Sequence, residues 1–152
     1  MNRIKKILLI DDDPDDRFIF SEVLKRIDKK VECTYAIDGE EALKLLRDDK
    51  NPSPDIIFLD LNMPRMSGKQ CLAEIRRLNG YSRVPIIILT TSDWHGDIAD
   101  VTENGASYFL TKSSFKELIE CISFLLNEPE DKENTSPERL LRLQKMLRKL
   151  ND

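Results

Sequence analysis

The chain has 152 residues, of which 40% are apolar and 34% charged, and its formal net charge is −4. This length predicts one domain, and the composition is that of an ordinary globular protein. The small acidic charge gives no argument for a nucleic acid or membrane partner, and no apolar run approaches the about 18 residues that a membrane helix needs. Cys33, Cys71 and Cys121 lie in apolar patterns, which favours reduced core thiols over disulfides or metal ligands. We therefore expect a cytoplasmic protein that binds neither nucleic acid nor membrane.

Five apolar runs alternate with amphipathic helical stretches along the chain. Residues 7–10, 56–59 and 86–89 are continuous apolar runs without polar alternation. This pattern is typical of strands that are buried on both faces of a parallel sheet. Residues 31–36 and 108–110 predict two further strands.

Helix starts are marked by capping residues between these strands. In the first helix, Asp13 precedes a proline, and an apolar face follows it. A weaker helix is predicted at residues 96–104, ended by Gly105. The predicted caps are Asp13, Asp38, Ser67 and Ser114, and the predicted apolar face of the first helix comprises Phe20, Val23, Leu24 and Ile27.

Alternating strands and helices predict an α/β fold, a doubly wound parallel sheet with helices on both faces. We divide the chain into a domain at 1–127, a polar linker at 128–135 and a C-terminal amphipathic helix at 136–152. Two heptads are too few for an independent coiled coil. The leucine stripe of this extra helix must therefore pack on its own domain, on a second subunit or on a target protein, and we predict that it contributes to a homodimer.

Polar residues follow the predicted strands, where folds of this type bind their ligands. Carboxylates gathered there would repel each other and would either share protons or hold a cation. Oxygen ligands with room for water favour Mg²⁺. A carboxylate beside Mg²⁺ and a lysine can act as a nucleophile toward phosphorus. The residues that follow the strands are Asp11, Asp12, Asp13, Asp60, Thr90 and Lys112.

Several segments resemble the receiver domain of two-component response regulators. They are LLIDD at 8–12, LDLNMP at 59–64 with Gly68, LTT at 89–91, and Lys112. The resemblance covers residues 5–127. It implies five parallel strands in the flavodoxin-like order 2-1-3-4-5, which makes the first and third strands neighbours and brings their terminal acids together.

The resemblance also implies a role for each site residue. Asp60 would accept the phosphoryl group, Lys112 would pair with the phosphoryl oxygens, and Thr90 would move to them while Phe109 rotates. The expected Mg²⁺ ligands are Asp12, Asp60, the backbone carbonyl of Asn62, and Asp11 through water.

The implied function is that of a signalling protein in a phosphorelay, with no enzyme activity beyond its own phosphotransfer and dephosphorylation. Its expected partners are a sensor histidine kinase or phosphotransfer protein and a downstream protein target. The five glycines are isolated along the chain, so the sequence has no glycine-rich loop that could cradle phosphate groups. We therefore expect no nucleotide cofactor.

One position departs from the family, because Ser113 stands where a proline usually follows the lysine. This serine and the long loop at 48–55 resemble the stand-alone regulators that serve bacterial phytochromes. Two other functions remain open at this point. One is a phosphohydrolase with Asp11 as nucleophile and Asp13 as acid, and the other is a binding module that works without phosphorylation.

Overall fold

The computed structural model describes residues 4–90, 105–106, 108–111, 119–120, 122–123 and 126, with the backbone alone at 90 and 108–111. All five predicted strands are confirmed, and the second begins one residue later than expected. The elements are β1 (Lys6–Ile10), α1 (Pro14–Ile27), β2 (Glu32–Ala36), α2 (Gly39–Arg47), β3 (Ile56–Asp60), α3 (Gly68–Arg77), β4 (Ile86–Thr90) and β5 (Tyr108–Thr111).

Some predictions lie outside the described residues. They are the helix at 96–104, the cap at Ser114, the loop at Ser113, and the linker and helix at 128–152.

The five strands form one parallel sheet in the order β2-β1-β3-β4-β5. This is the order that the family resemblance implied. β3 is the central strand of this sheet, and all five of its residues are buried. β1 pairs with β3 in a register that places Ile10 opposite Leu59. The strands next to each other in this sheet therefore end at the same level, which positions the residues that follow them.

Alternate residues of β1, β3 and β4 enter two separate core layers, as expected when both faces of a sheet are covered. One layer packs against α2 and α3 and includes Leu8, Ile57 and Ile88. The other packs against α1 and includes Leu9, Phe58 and Ile87, together with Ile122 and Leu126. In the second layer Phe20 meets Phe58 edge to face, with ring centroids 5.0 Å apart.

The helices described begin at the predicted caps. The Asp13 carboxylate accepts the N–H of Asp15 at 2.9 Å, and Asp38 accepts the N–H of Glu41 at 2.8 Å. The Ser67 hydroxyl accepts the N–H of Gln70 at 3.2 Å. Each bond satisfies a backbone donor that has no partner within its helix.

Two further expectations concern the helices and the thiols. Phe20, Val23 and Leu24 of α1 are buried as predicted, and Ile27 packs against the same layer. Cys33 and Cys71 are free thiols, as predicted for the part of the chain described.

No helix within the described residues has the length and apolar character to cross a membrane.

Candidate phosphoacceptor and metal site

Three carboxylates meet where β1 and β3 end. Asp11 and Asp12 follow β1 directly, and Asp60 is the last residue of β3. One oxygen from each carboxylate lies within 4.8 Å of the other two. Asp11 is 1% exposed and Asp60 6% exposed, whereas Asp12 is exposed to solvent. The cluster is therefore a buried pair of acids with a third at its mouth.

The loop after β3 is held closely against Asp60. The backbone N–H of Asn62 donates to the Asp60 carboxylate at 3.3 Å, and the N–H of Gly68 donates to the carbonyl of Leu61 at 3.1 Å. A Cβ on Gly68 would lie 2.6 Å from the Asp60 carbonyl oxygen. Only glycine therefore fits where α3 begins. In the same loop Arg65 has a φ of +66°, a left-handed conformation that costs about 1 kcal/mol or more without glycine.

Asp11 is held by the start of α1. The N–H of Asp13 donates to the Asp11 carboxylate at 3.0 Å, and the guanidinium of Arg17 donates to the Asp11 carbonyl at 2.8 Å. Sequence reasoning did not single out Arg17. The sequence did contain a signal, because Arg17 is a cation in the first turn of α1, where the helix dipole favours acidic residues.

The electrostatics of the cluster favour a bound cation. Two carboxylates about 4 Å apart repel by about 4 kcal/mol at an effective dielectric near 20. The three acids offer only hard oxygen ligands, and one side is open for water, which fits a divalent cation such as Mg²⁺ or Mn²⁺.

The other expected site residues are described in part. Asn62 is exposed and lies in the loop that borders Asp60. Asp60 pairs with Leu89 across β3 and β4, so Thr90 follows at the same edge of the sheet. The side chains of Thr90 and Phe109, and all of Lys112, lie outside the described residues.

A parallel sheet in this order, with three acids at the carboxyl ends of its neighbouring strands, is the arrangement that the receiver resemblance implied. The family model described as the response regulator receiver domain matches residues 7–123. The chain belongs to this family and is a receiver of a two-component response regulator. Receivers of this family take up a phosphoryl group and interact with histidine kinases and downstream targets.

Named relatives agree with this assignment. The response regulator Rcp1 of Synechocystis is 34% identical over 126 residues, which cover 80% of this chain and 86% of Rcp1. The crystal structure of Mn²⁺-bound Rcp1 matches with a TM-score of 0.77 and 33% identity, over 83% of this chain and 97% of that one.

The phosphorylated cyanobacterial phytochrome response regulator RcpA matches with a TM-score of 0.71 and 33% identity, over 79% of this chain and 89% of that one. These similarities agree with the phytochrome-type, single-receiver resemblance seen in the sequence.

Proposed function

We propose that Asp60 accepts a phosphoryl group from a phosphohistidine of a sensor kinase or phosphotransfer protein. The observation that carries this proposal is the convergence of Asp11, Asp12 and Asp60 at one edge of the sheet. Asp60 ends the central strand, and the N–H of Asn62 orients its carboxylate. A nucleophile fixed on a rigid strand can be aligned with phosphorus at little entropic cost.

In this reaction an oxygen of Asp60 forms a bond to phosphorus as the bond from phosphorus to the histidine nitrogen breaks. The histidine nitrogen keeps the electron pair. Asp11, Asp12, Asp60 and the carbonyl of Asn62 would hold Mg²⁺, which offsets the negative charge that gathers on the phosphoryl oxygens. Lys112 would pair with the same oxygens.

The signal would pass through a shift between two conformations. Thr90 would bond to the phosphoryl group, Phe109 would follow it inward, and a downstream protein would bind the altered face. We place the reaction in the cytoplasm, which the free thiols of Cys33 and Cys71 support. The net charge of −4 supports protein partners over nucleic acid or membrane, and we assign no further enzyme activity.

The geometry at Asp13 counts against the phosphohydrolase alternative. That mechanism needs Asp13 as an acid beside an Asp11 nucleophile. The Asp13 carboxylate instead accepts the N–H of Asp15 as the cap of α1. One of its oxygens is therefore engaged at the start of the helix rather than directed at a substrate beside Asp11.

The test is intact-mass measurement after incubation with acetyl phosphate and Mg²⁺. The parent chain should gain one phosphoryl group, and Asp60→Asn should gain none while remaining folded. Asp13→Asn is the matched control, because asparagine also caps helices well, and it should gain the group like the parent. A phosphoryl group on Asp60→Asn, or turnover of simple phosphate esters that requires Asp11 and Asp13, would overturn the proposal.

A further inference from the structure

Arg17 is a cation at a helix end that disfavours cations. It lies at the start of α1 and follows the acids Asp15 and Asp16 directly. Its backbone N–H donates to the carbonyl of Asp13 at 3.1 Å, so it belongs to the helix. The N-terminal end of a helix carries a partial positive charge, which repels a guanidinium. A contact that offsets this repulsion is therefore expected for the side chain.

That contact is made with the backbone of Asp11. The guanidinium of Arg17 reaches back six residues and donates to the Asp11 carbonyl at 2.8 Å. Asp11 is only 1% exposed, so bulk water is a poor substitute for this donor. Because a buried carbonyl is costly to leave without a donor, the bond holds the guanidinium and the Asp11 backbone together.

Asp11 is held at three points by three different parts of the chain. Its N–H donates to the carbonyl of Ala36 at 3.0 Å, which ties it to β2. Its carboxylate accepts the N–H of Asp13 at 3.0 Å. These two contacts come from backbone groups that any sequence would supply. The third contact, on the carbonyl, comes from the side chain of Arg17 and can be removed by substitution.

The bond to the Asp11 carbonyl also affects Asp12. A peptide group is planar, so the orientation of the Asp11 carbonyl fixes the direction in which the chain continues into Asp12. Asp12 is exposed, and its carboxylate still lies within 4.8 Å of those of Asp11 and Asp60. Through one peptide group, Arg17 therefore acts on two of the three acids in the cluster.

We propose that Arg17 is a positioning residue of the cation site. Its bond to the Asp11 carbonyl holds the peptide between Asp11 and Asp12 in the orientation that brings both carboxylates to Asp60. Arg17 itself contacts neither the cation nor the phosphoryl group. This inference rests on the proposed function, because it concerns the cation that assists Asp60. Residues that orient metal ligands from outside the coordination shell typically contribute about 10–100-fold to metal affinity.

Positioning and charge make opposite predictions for the removal of this guanidinium. A positive charge near the acid cluster repels a divalent cation. If Arg17 acted through its charge alone, its removal would strengthen Mg²⁺ binding. If Arg17 positions Asp11 and Asp12, its removal weakens Mg²⁺ binding. The sign of the change in affinity therefore separates the two roles.

The first test is calorimetric titration of the full chain with Mg²⁺. Arg17→Met removes the charge and the donors, and we expect its Mg²⁺ affinity to fall by at least about tenfold. Arg17→Lys keeps the charge and one donor and should recover part of this loss. Lys25→Met is the matched control, because Lys25 is an exposed cation of the same helix that pairs with Glu22 at 3.3 Å. It should bind Mg²⁺ like the parent.

An Arg17→Met variant that binds Mg²⁺ as tightly as the parent, or more tightly, overturns the proposal. Circular dichroism in chelator checks that each variant is folded. If Arg17→Met does not fold, Arg17→Gln takes its place, because glutamine is uncharged and shorter than arginine. The same loss of affinity is then expected, and the same parent-like affinity overturns the proposal.

The second test follows phosphorylation by acetyl phosphate at increasing Mg²⁺ concentration. Arg17→Met should need about tenfold more Mg²⁺ for its half-maximal rate but should reach the parent rate at saturation, because Asp60 is unchanged. A parent that gains no phosphoryl group overturns the proposed function, and calorimetry then decides the role of Arg17 by itself. A parent that is phosphorylated, with a variant that needs no more Mg²⁺ than the parent, overturns the positioning role alone.

Discussion

Arg76, the penultimate residue of α3, connects the nearby segment at 81–84 with Gly105, which lies much further along the chain. Its guanidinium donates to the carbonyl of Gly105 at 2.7 and 2.9 Å, to Tyr81 at 2.9 Å and to Val84 at 2.6 Å. These carbonyls belong to the segments that precede β4 and β5. Burial lowers the pKa of this guanidinium, but an arginine remains charged at neutral pH.

Arg76→Ala should therefore be strongly destabilising. A hydrogen bond to a charged group contributes about 1.5–3 kcal/mol. Because the side chain is only partly buried, water will replace some of what is lost. About 1 kcal/mol for each of the three carbonyls gives a loss of about 3 kcal/mol in the free energy of unfolding. Arg76→Lys should fall between the parent and the alanine variant, since one ammonium cannot reproduce the planar fork.

The measurement is urea unfolding followed by circular dichroism. With an m-value of about 1–3 kcal/mol per molar, a loss of this size lowers the midpoint by about 1–3 M. Arg77→Ala is the matched control, because Arg77 is exposed and pairs only at the surface with Glu74 at 3.0 Å. Such a pair contributes about 0.2–1 kcal/mol. Equal midpoints for Arg76→Ala and Arg77→Ala would refute the role assigned to this guanidinium.

Three further predictions concern the acid cluster, the tight loop and the thiols. Asp12→Ala should lose most Mg²⁺ affinity by calorimetric titration without losing stability in chelator, and unchanged affinity would exclude Asp12 as a ligand. Gly68→Ala should cost about 1–3 kcal/mol through overpacking against Asp60 and should slow phosphorylation, whereas parent-like unfolding and phosphorylation would contradict the contact. Burial raises the pKa of Cys33 to about 11 and that of Cys71 to about 12. Both thiols should therefore react slowly with iodoacetamide at pH 8 until urea unfolds the chain, and the free energy of unfolding should fall as the pH rises above the unfolded-state thiol pKa, near 9. Rapid labelling of Cys33 or Cys71 in the folded chain, located by peptide mass mapping, would refute this.

The local elements of this protein could be predicted from the sequence because their signals are short-range. The apolar runs at 56–59 and 86–89 are buried strands because no polar residue interrupts them. Asp13 and Asp38 start helices because their carboxylates satisfy backbone donors two or three residues away. Each of these interactions depends on neighbours in the chain, so it can be inferred before the fold is known.

The meeting of the three acids depends on strand order, which periodicity does not specify. The family resemblance supplied that order, and the structure confirms it. The contacts of Arg76 and the close packing at Gly68 show what neither source predicted. Arg76 looks like an ordinary basic residue at a helix end until the fold brings the carbonyl of Gly105 to it. The constraint on Gly68 likewise comes from the backbone of Asp60. Long-range contacts of this kind depend on the path of the whole chain, and only the tertiary structure decides them.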